Sequence, residues 1–224
     1  MRNTIPLPPQ TCEPYFNHVG IARCATLDTP SGPLLLHDRC PSSLIESLRA
    51  DNGLRAFARR PEREHQLLLN IAKKAENKLT IACTPDGTII GEVTLAPADA
   101  QWGNTEQIYE VAIQVSDGWR RWGIAHSLLA FALEFATLEQ MIIVGMGLDW
   151  HWDMEGLGLT VYQYREMMAR LFAAHGFTEY LTTEPNIRMS PANIFVVRIG
   201  KCVDRGILNT FFERLLQSDT LPGL

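Results

Sequence analysis

Apolar positions along the chain change their period several times, and each change marks an element. From Pro61 the residues Leu67, Leu68, Ile71, Ala72 and Ala75 recur at helical spacing with Arg and Glu on the other side, which predicts an amphipathic helix opened by proline. Leu79 to Cys83 and Thr88 to Leu95 are strand-like runs separated by Thr84-Pro85-Asp86-Gly87, where glycine supplies the positive φ of a hairpin turn. Ile108 to Val115 predicts the next strand, Ser116 to Trp122 a polar turn, and Gly123 to Leu138 a helix too apolar to be exposed. Met141 to Met146 predicts a buried strand, and Leu159 to Ala174 an amphipathic helix that ends at His175-Gly176. Phe177 to Leu181 and Ile194 to Ile199 predict further strands, and Ile207 to Gln217 a last helix. Ser42 to Leu48 reads as a short helix start. A hairpin followed by a β-α-β unit and then more helix and strand predicts one α/β layer domain around a mixed sheet. Residues 1 to 33, with Pro6, Pro8, Pro9, Pro14, Pro30 and Pro33, read as an irregular arm ahead of a domain over residues 34 to 200, with residues 201 to 224 as a helical extension.

At 224 residues, 46% hydrophobic and 20% charged, the chain is long enough for a full core and unlike a disordered or fibrous one. Its net charge of −5 argues against a general nucleic-acid-binding surface. Residues 1 to 74 carry 10 basic and 7 acidic side chains, and residues 75 to 224 carry 10 and 18, so the second part favours a cationic substrate. Five cysteines without C-x-x-C spacing argue against a disulfide framework or a zinc knuckle and fit a reducing cytoplasm. No stretch reaches 18 apolar residues and the start lacks an apolar signal core, so neither a membrane span nor a signal peptide is expected.

The chemistry concentrates at Val115-Ser116-Asp117-Gly118-Trp119-Arg120-Arg121-Trp122-Gly123-Ile124-Ala125. A strand runs into a loop and then a helix whose first residues are small, so an anion can reach the free N–H groups of the helix N-terminus. The spacing Arg120-x-x-Gly123-x-Ala125 resembles the pyrophosphate loop of the GNAT (GCN5-related N-acetyltransferase) superfamily, which cradles coenzyme A. A bland reading, a surface turn with two solvated arginines, leaves the small residues at Gly123 and Ala125 without a purpose. Further on, Asp149-Trp150-His151-Trp152-Asp153, Val161-Tyr162-Gln163-Tyr164-Arg165, Glu184-Pro185, Ser190-Pro191-Ala192-Asn193 and Arg198-Ile199-Gly200 resemble the AcuA-type acetoin-utilisation branch of that superfamily. The resemblance covers roughly Gly32 to Gly200. It implies a single GNAT-type domain with a mixed, splayed sheet, acetyl-CoA as co-substrate, no metal, and a protein lysine as acceptor, on acetyl-CoA synthetase. A small-molecule amine acetyltransferase and a non-catalytic, acetyl-CoA-responsive regulatory partner remain as alternatives.

For the coenzyme, the resemblance singles out Arg120, Arg121, Trp122, Gly123, Ile124 and Ala125, with Ile113 and Val115 at the end of the preceding strand. Transfer needs a neutral amine although a lysine titrates near 10.4, hence a base of raised pKa or a relaying water. Glu110, ten residues before Arg120, is the first candidate because the resemblance puts a catalytic glutamate close to this position in protein-acetylating relatives; it shares a strand face with Ala112 and Gln114, and otherwise it is a solvated strand glutamate. The rival is the segment around Asp149, His151 and Asp153. If extended, it would put those three on one face, able to orient or relay for the lysine, or else to serve as an anchored acidic loop. The helical tyrosine that many relatives use as general acid, four residues before Gly-Phe, is Phe172 here, so Tyr164 or Tyr162 would have to supply the proton, or solvent. Cys83 and Cys202 lack a sequence-adjacent histidine, which favours direct transfer over an acyl-enzyme.

Overall fold

The structure is a computed structural model that describes residues 23–58, 60–103 and 106–216. In chain order its strands are β1 (Cys24–Thr29), β2 (Gly32–His37), β3 (Arg49–Ala50), β4 (Lys78–Cys83), β5 (Thr88–Pro97), β6 (Ile108–Val115), β7 (Ile142–Gly147), β8 (Thr178–Glu179) and β9 (Ile194–Ile199). The helices are α1 (Ser42–Ser47), α2 (Pro61–Ala72), α3 (Ile124–Leu133), α4 (Met154–Leu157), α5 (Val161–Ala173), α6 (Pro185–Arg188) and α7 (Arg205–Leu215). Among the described residues the strands form one nine-stranded sheet in the order β1-β2-β4-β5-β6-β7-β9-β8, with β3 paired to β5. Neighbours along that path are antiparallel except β6 and β7, which run parallel. The expected mixed α/β layer architecture is the one found.

Strand alternation sorts the side chains to two faces. On one face Val93, Leu95, Tyr109, Val111 and Ile143 pack beneath α3 and α5, which contribute Ile124, Leu128, Leu129, Leu171 and Phe172. The other face carries two separate apolar clusters. Leu79, Ile81 and Ile89 lie against Ile45 of α1 and Leu68 of α2. Ile142, Val144, Phe195 and Val197 lie against Phe211 and Leu215 of α7. Between these clusters, the same face of β5 and β6 presents Glu92, Thr94, Glu110, Ala112 and Gln114, and the register sets Glu92 opposite Gln114 and Ala96 opposite Glu110. This polar strip is the ground on which the site stands.

Several expectations need correction. Residues 24–29 were expected inside an irregular arm, yet they form β1, paired residue for residue with β2. Pro30 belongs to the hairpin turn that follows, Thr29-Pro30-Ser31-Gly32, in which Thr29 Oγ1 donates to the Gly32 carbonyl (2.7 Å) and Gly32 takes φ 109°, while Pro33 lies in β2 opposite Asp28. The remainder of the expected arm, residues 1–22, lies outside the described residues. The helix expected from Gly123 to Leu138 stops at Leu133, because Phe135 turns extended (φ −85°, ψ 128°) before a 3-10 turn at Ala136–Gln140. Arg23 fixes that break: it donates to the Phe131 carbonyl (2.6 Å) and its guanidinium covers the Phe131 and Phe135 rings at 4.5 and 4.3 Å. The strand expected over Phe177 to Leu181 shrinks to Thr178–Glu179, since Phe177 turns inward onto Phe172 and Leu181 points to solvent.

Candidate active site

The parallel ladder between β6 and β7 is short: Ile108 pairs with Ile142, Tyr109 with Ile143 and Glu110 with Val144, and there it ends. β6 continues against β5 as far as Val115 opposite Gly91, so the two parallel strands part at Glu110. A cleft of about 1350 Å³ opens at this fork, lined by Glu110, Ile113, Val115, the loop after β6, the segment after β7 and the inner side of α5.

At one end of the cleft the loop is shaped for an anion. The Ser116 N–H donates to the Ile90 carbonyl (2.8 Å), and a 3-10 turn at Asp117–Trp119 follows. Arg121 (φ 70°) and Gly123 (φ 75°) then adopt left-handed backbone, and Gly123 becomes the N-cap of α3 without a side-chain cap. A Cβ built on Gly123 would meet nothing within 4 Å, so the glycine is required by its φ and by the open approach to the first-turn N–H groups rather than by packing. Arg121, Gly123, Ile124 and Ala125 line the cleft. The Trp122 side chain is not among the lining residues; Trp119 meets it edge-on at 5.4 Å. Arg120 lines the cleft as well, and its guanidinium is held by two protein partners. Its Nη1 pairs with Asp153 Oδ2 (2.6 Å) and its Nε donates to the Val115 carbonyl (3.2 Å).

That pairing also revises the rival site. Asp149–His151 is a 3-10 turn and Asp153 caps α4, accepting from the Gly156 N–H (3.0 Å), so the three side chains do not share the face of an extended segment. The Arg120 hydrogen bond holds the Asp153 carboxyl below the usual carboxylate range, which suits an anchor. His151 is exposed, with Nδ1 donating to the Ala56 carbonyl (3.2 Å) and Phe57 against its ring at 5.8 Å.

Glu110 has the electrostatics a base requires. Burial, reinforced by the carboxylates of Asp99 and Glu184, pushes it up to about 7. Tyr164 lines the same cleft, stacked on Trp152 at 5.0 Å and 11° between planes, and burial raises its pKa, so the phenol keeps its proton. Phe172 is a packing residue, 3% exposed and edge-on to Phe177. Neither cysteine considered as an acyl carrier lines the cleft. Burial raises the pKa of the Cys83 thiol, and Cys202 is disulfide-bonded, a departure from the expectation of reduced cysteines throughout.

The segment Gly53, Arg55, Ala56 and Phe57 lines the cleft too, and sequence reasoning missed it. Its one signal was Gly53, where an added Cβ would displace the Asp117 and Ser116 side chains at the start of the loop after β6. Among the described residues no group of three or more His, Cys, Asp or Glu side chains could hold a metal ion, and no helix is long and apolar enough to cross a membrane.

A parallel strand pair that splays at a half-buried carboxylate, with an uncapped helix N-terminus at the end of the opening, places an anion-binding end and a titratable group in one cleft. No protein-family model matches the sequence. Over 193 residues the chain is 32% identical to the acetoin utilization protein AcuA of Bacillus subtilis, spanning 84% of this chain and 90% of that protein. The AcuA of Bacillus licheniformis is 32% identical over 190 residues, 83% and 90% of the two chains. A crystal structure of an acetoin utilization protein from Exiguobacterium sibiricum superposes with a TM-score of 0.83 at 32% identity, covering 88% of this chain and 94% of that one. The chain belongs to the AcuA acetoin-utilization family.

Proposed function

We propose that this chain is an acetyl-CoA-dependent protein lysine N-acetyltransferase, with acetyl-CoA synthetase as its acceptor. The observation that carries the reading is that one cleft joins an uncapped helix N-terminus to a carboxylate pushed up to about 7. The N–H groups from Arg121 to Ala125 would hold the pyrophosphate by hydrogen bonds and by the positive end of α3. Past Glu110 the strand β6 has no β7 partner, so its edge is free to donate a backbone N–H to the thioester carbonyl.

Glu110 takes a proton from the lysine ammonium, and the neutral amine attacks the thioester carbon. The attacking nitrogen, now cationic, releases its surplus proton to solvent as the C–S bond breaks; Tyr164, protonated and facing the cleft, gives its proton to the departing thiolate and regains one from solvent. The acidic surroundings of Glu110, namely Asp99 and Glu184, favour a cationic acceptor. The wide cleft and the exposed Trp150 and Met167 on its lining favour a lysine carried by a protein over a small enclosed amine. A cytoplasmic setting follows from the two substrates.

Intact-mass measurement of acetyl-CoA synthetase after incubation with the chain and acetyl-CoA is the test. One acetyl group gained far faster than free lysine or polyamines are acetylated supports the reading. Faster turnover of a small amine moves the acceptor to that class, and inhibition without any gain in mass makes the chain a docking regulator.

A further inference from the structure

Acyl transfer leaves unused a group of buried polar side chains under the polar strip. Glu64 of α2 is 0% exposed although it sits on the face of the helix that carries Leu68, a position where an apolar residue would ordinarily stand. Its Oε1 accepts from the Phe57 N–H (2.8 Å) and the Ala58 N–H (2.7 Å), and its Oε2 accepts from Gln114 Nε2 (3.2 Å). Gln114 Oε1 accepts from the Ala56 N–H (3.2 Å), and its Nε2 also donates to Glu92 Oε1 (3.0 Å). The other Glu92 oxygen accepts from the Thr94 hydroxyl (2.7 Å). Three consecutive backbone amides, 56 to 58, are thus tied to one helix side chain and one central-strand side chain.

The same short segment reaches across the cleft. Arg55 pairs with Asp117 beside the phosphate loop (2.7 Å), the Ala56 carbonyl receives His151 Nδ1, and the Phe57 ring packs on His151. Loop backbone at a cleft wall normally exchanges hydrogen bonds with water and drifts; here its donors point inward at acceptors that water does not reach. An ionised carboxylate only accepts, so it matches three converging N–H groups, whereas an amide in its place must present a donor to a donor.

We propose that Glu64 is a positioning residue that, with Gln114, clamps residues 55–58 as the acceptor-side wall of the cleft and through them holds His151 beside the path of the incoming lysine. The acceptor role rests on the acetyl-transfer reading above; the clamp does not. Glu64→Gln turns one acceptor into a donor facing Gln114 Nε2 or the loop amides. Hydrogen exchange at the amides of residues 56 to 58 should then speed up by about tenfold or more, the ratio expected for losing one buried hydrogen bond. The KM for the acceptor should rise by about tenfold with kcat within about threefold, because the loop orients the acceptor and touches no reacting atom. The thermal shift given by acetyl-CoA should be unchanged.

Glu64→Gln combined with Gln114→Glu restores a donor–acceptor match between the two positions and should recover both exchange protection and KM, measured at pH 6, where Glu92 still carries its proton. A purely structural role for Glu64 would not be rescued in this way. If Glu64→Gln fails to fold, Gln114→Asn shortens the reach to Ala56 while leaving Glu64 on Phe57 and Ala58, and it should move exchange and KM in the same direction by less. Unchanged exchange at residues 56 to 58 overturns the clamp, and faster exchange with an acceptor KM within about twofold of wild type overturns its role at the wall. Should the wild-type chain transfer no acetyl group and show no acetyl-CoA shift, it is the acetyl-transfer reading that fails, and the exchange measurement alone judges the clamp.

Discussion

Glu92 and Glu110 stand on the same face of neighbouring strands, and burial pushes both up to about 7. Their settings differ in everything else. Glu92 is 1% exposed, accepts from Thr94 and Gln114, and has Glu64 as the neighbour that raises it further. The Glu110 carboxyl has no hydrogen-bond partner among the described residues, opens onto the cleft, and is raised further by Asp99 and Glu184. A raised pKa therefore does not identify a base by itself. What separates the two is access: one carboxyl is enclosed by donors that hold it, and the other is left without donors at the wall of the cleft.

The largest effect that this contrast forecasts is on turnover. Glu110→Gln should lower kcat/KM for acetyl transfer by about 10² to 10⁴, the range for losing a general base, while Glu92→Gln stays within about threefold. Initial rates of acetyl incorporation give both numbers, and an equal loss in Glu92→Gln would break the contrast.

Next comes coenzyme binding. Ala125→Glu sets a carboxylate in the first turn of α3 and should abolish the acetyl-CoA thermal shift, a stabilisation of about 2.7 kcal/mol when ligand is present at 100 times its Kd. Gly123→Glu should abolish it too, with a strain of roughly 1–2 kcal/mol added by the left-handed backbone at φ 75°. Glu110→Gln and Glu92→Gln should keep the shift, and scanning fluorimetry compares all four.

Stability against pH sharpens the likeness between the two carboxyls. A carboxyl raised in the folded state is protonated in both states below its ordinary value of 4.5 and there costs nothing. Stability falls as pH rises from 4.5 to about 7, because the unfolded chain ionises first, and above 7 the cost is complete. Each Gln variant should therefore unfold at higher urea at pH 8, by about 1–3 kcal/mol, and gain little at pH 4.5. The smallest effect belongs to Asp153→Asn. Loss of the partly exposed Arg120 pair should cost about 1 kcal/mol or less and leave kcat within about threefold, as an anchor rather than a relay would.

Most of the frame was legible because apolar period and turn chemistry are local signals. β6 and β9 fall on the bounds that the sequence predicts, and the Thr84 to Gly87 turn is present with Gly87 at φ 84°. The loop between β6 and α3 was legible for the same reason, being one continuous strand, loop and helix. The early end of α3 was not, since Arg23 seals the helix end from 108 residues away; nor was the short β8, where Phe177 is drawn inward onto Phe172 at the end of the preceding helix, a tertiary contact that strand alternation does not register. At the site, Glu110 could be singled out from its strand face, but its burial and its acidic neighbours come from residues 99 and 184. The pairing of Arg120 with Asp153 spans 33 residues and leaves no mark in spacing. Glu64 was read as part of the polar covering of α2, because a hydrophobic pattern counts any charged residue as outward.

The central claim is that Glu110 is the base of an acetyl-transfer cleft, and the pH dependence of kcat/KM for acetylation of acetyl-CoA synthetase, measured from pH 5.5 to 9.5 in wild type, Glu110→Gln and Glu92→Gln, tests it most directly. In the wild type a rising limb should pass through about 7, where Glu110 loses its proton, and Glu92→Gln should keep that limb. In Glu110→Gln the limb should be absent and the deficit should shrink towards pH 9.5, as more of the acceptor lysine becomes neutral without help. A limb near 7 that survives in Glu110→Gln, or a rate there within about threefold of wild type across the range, would contradict the account.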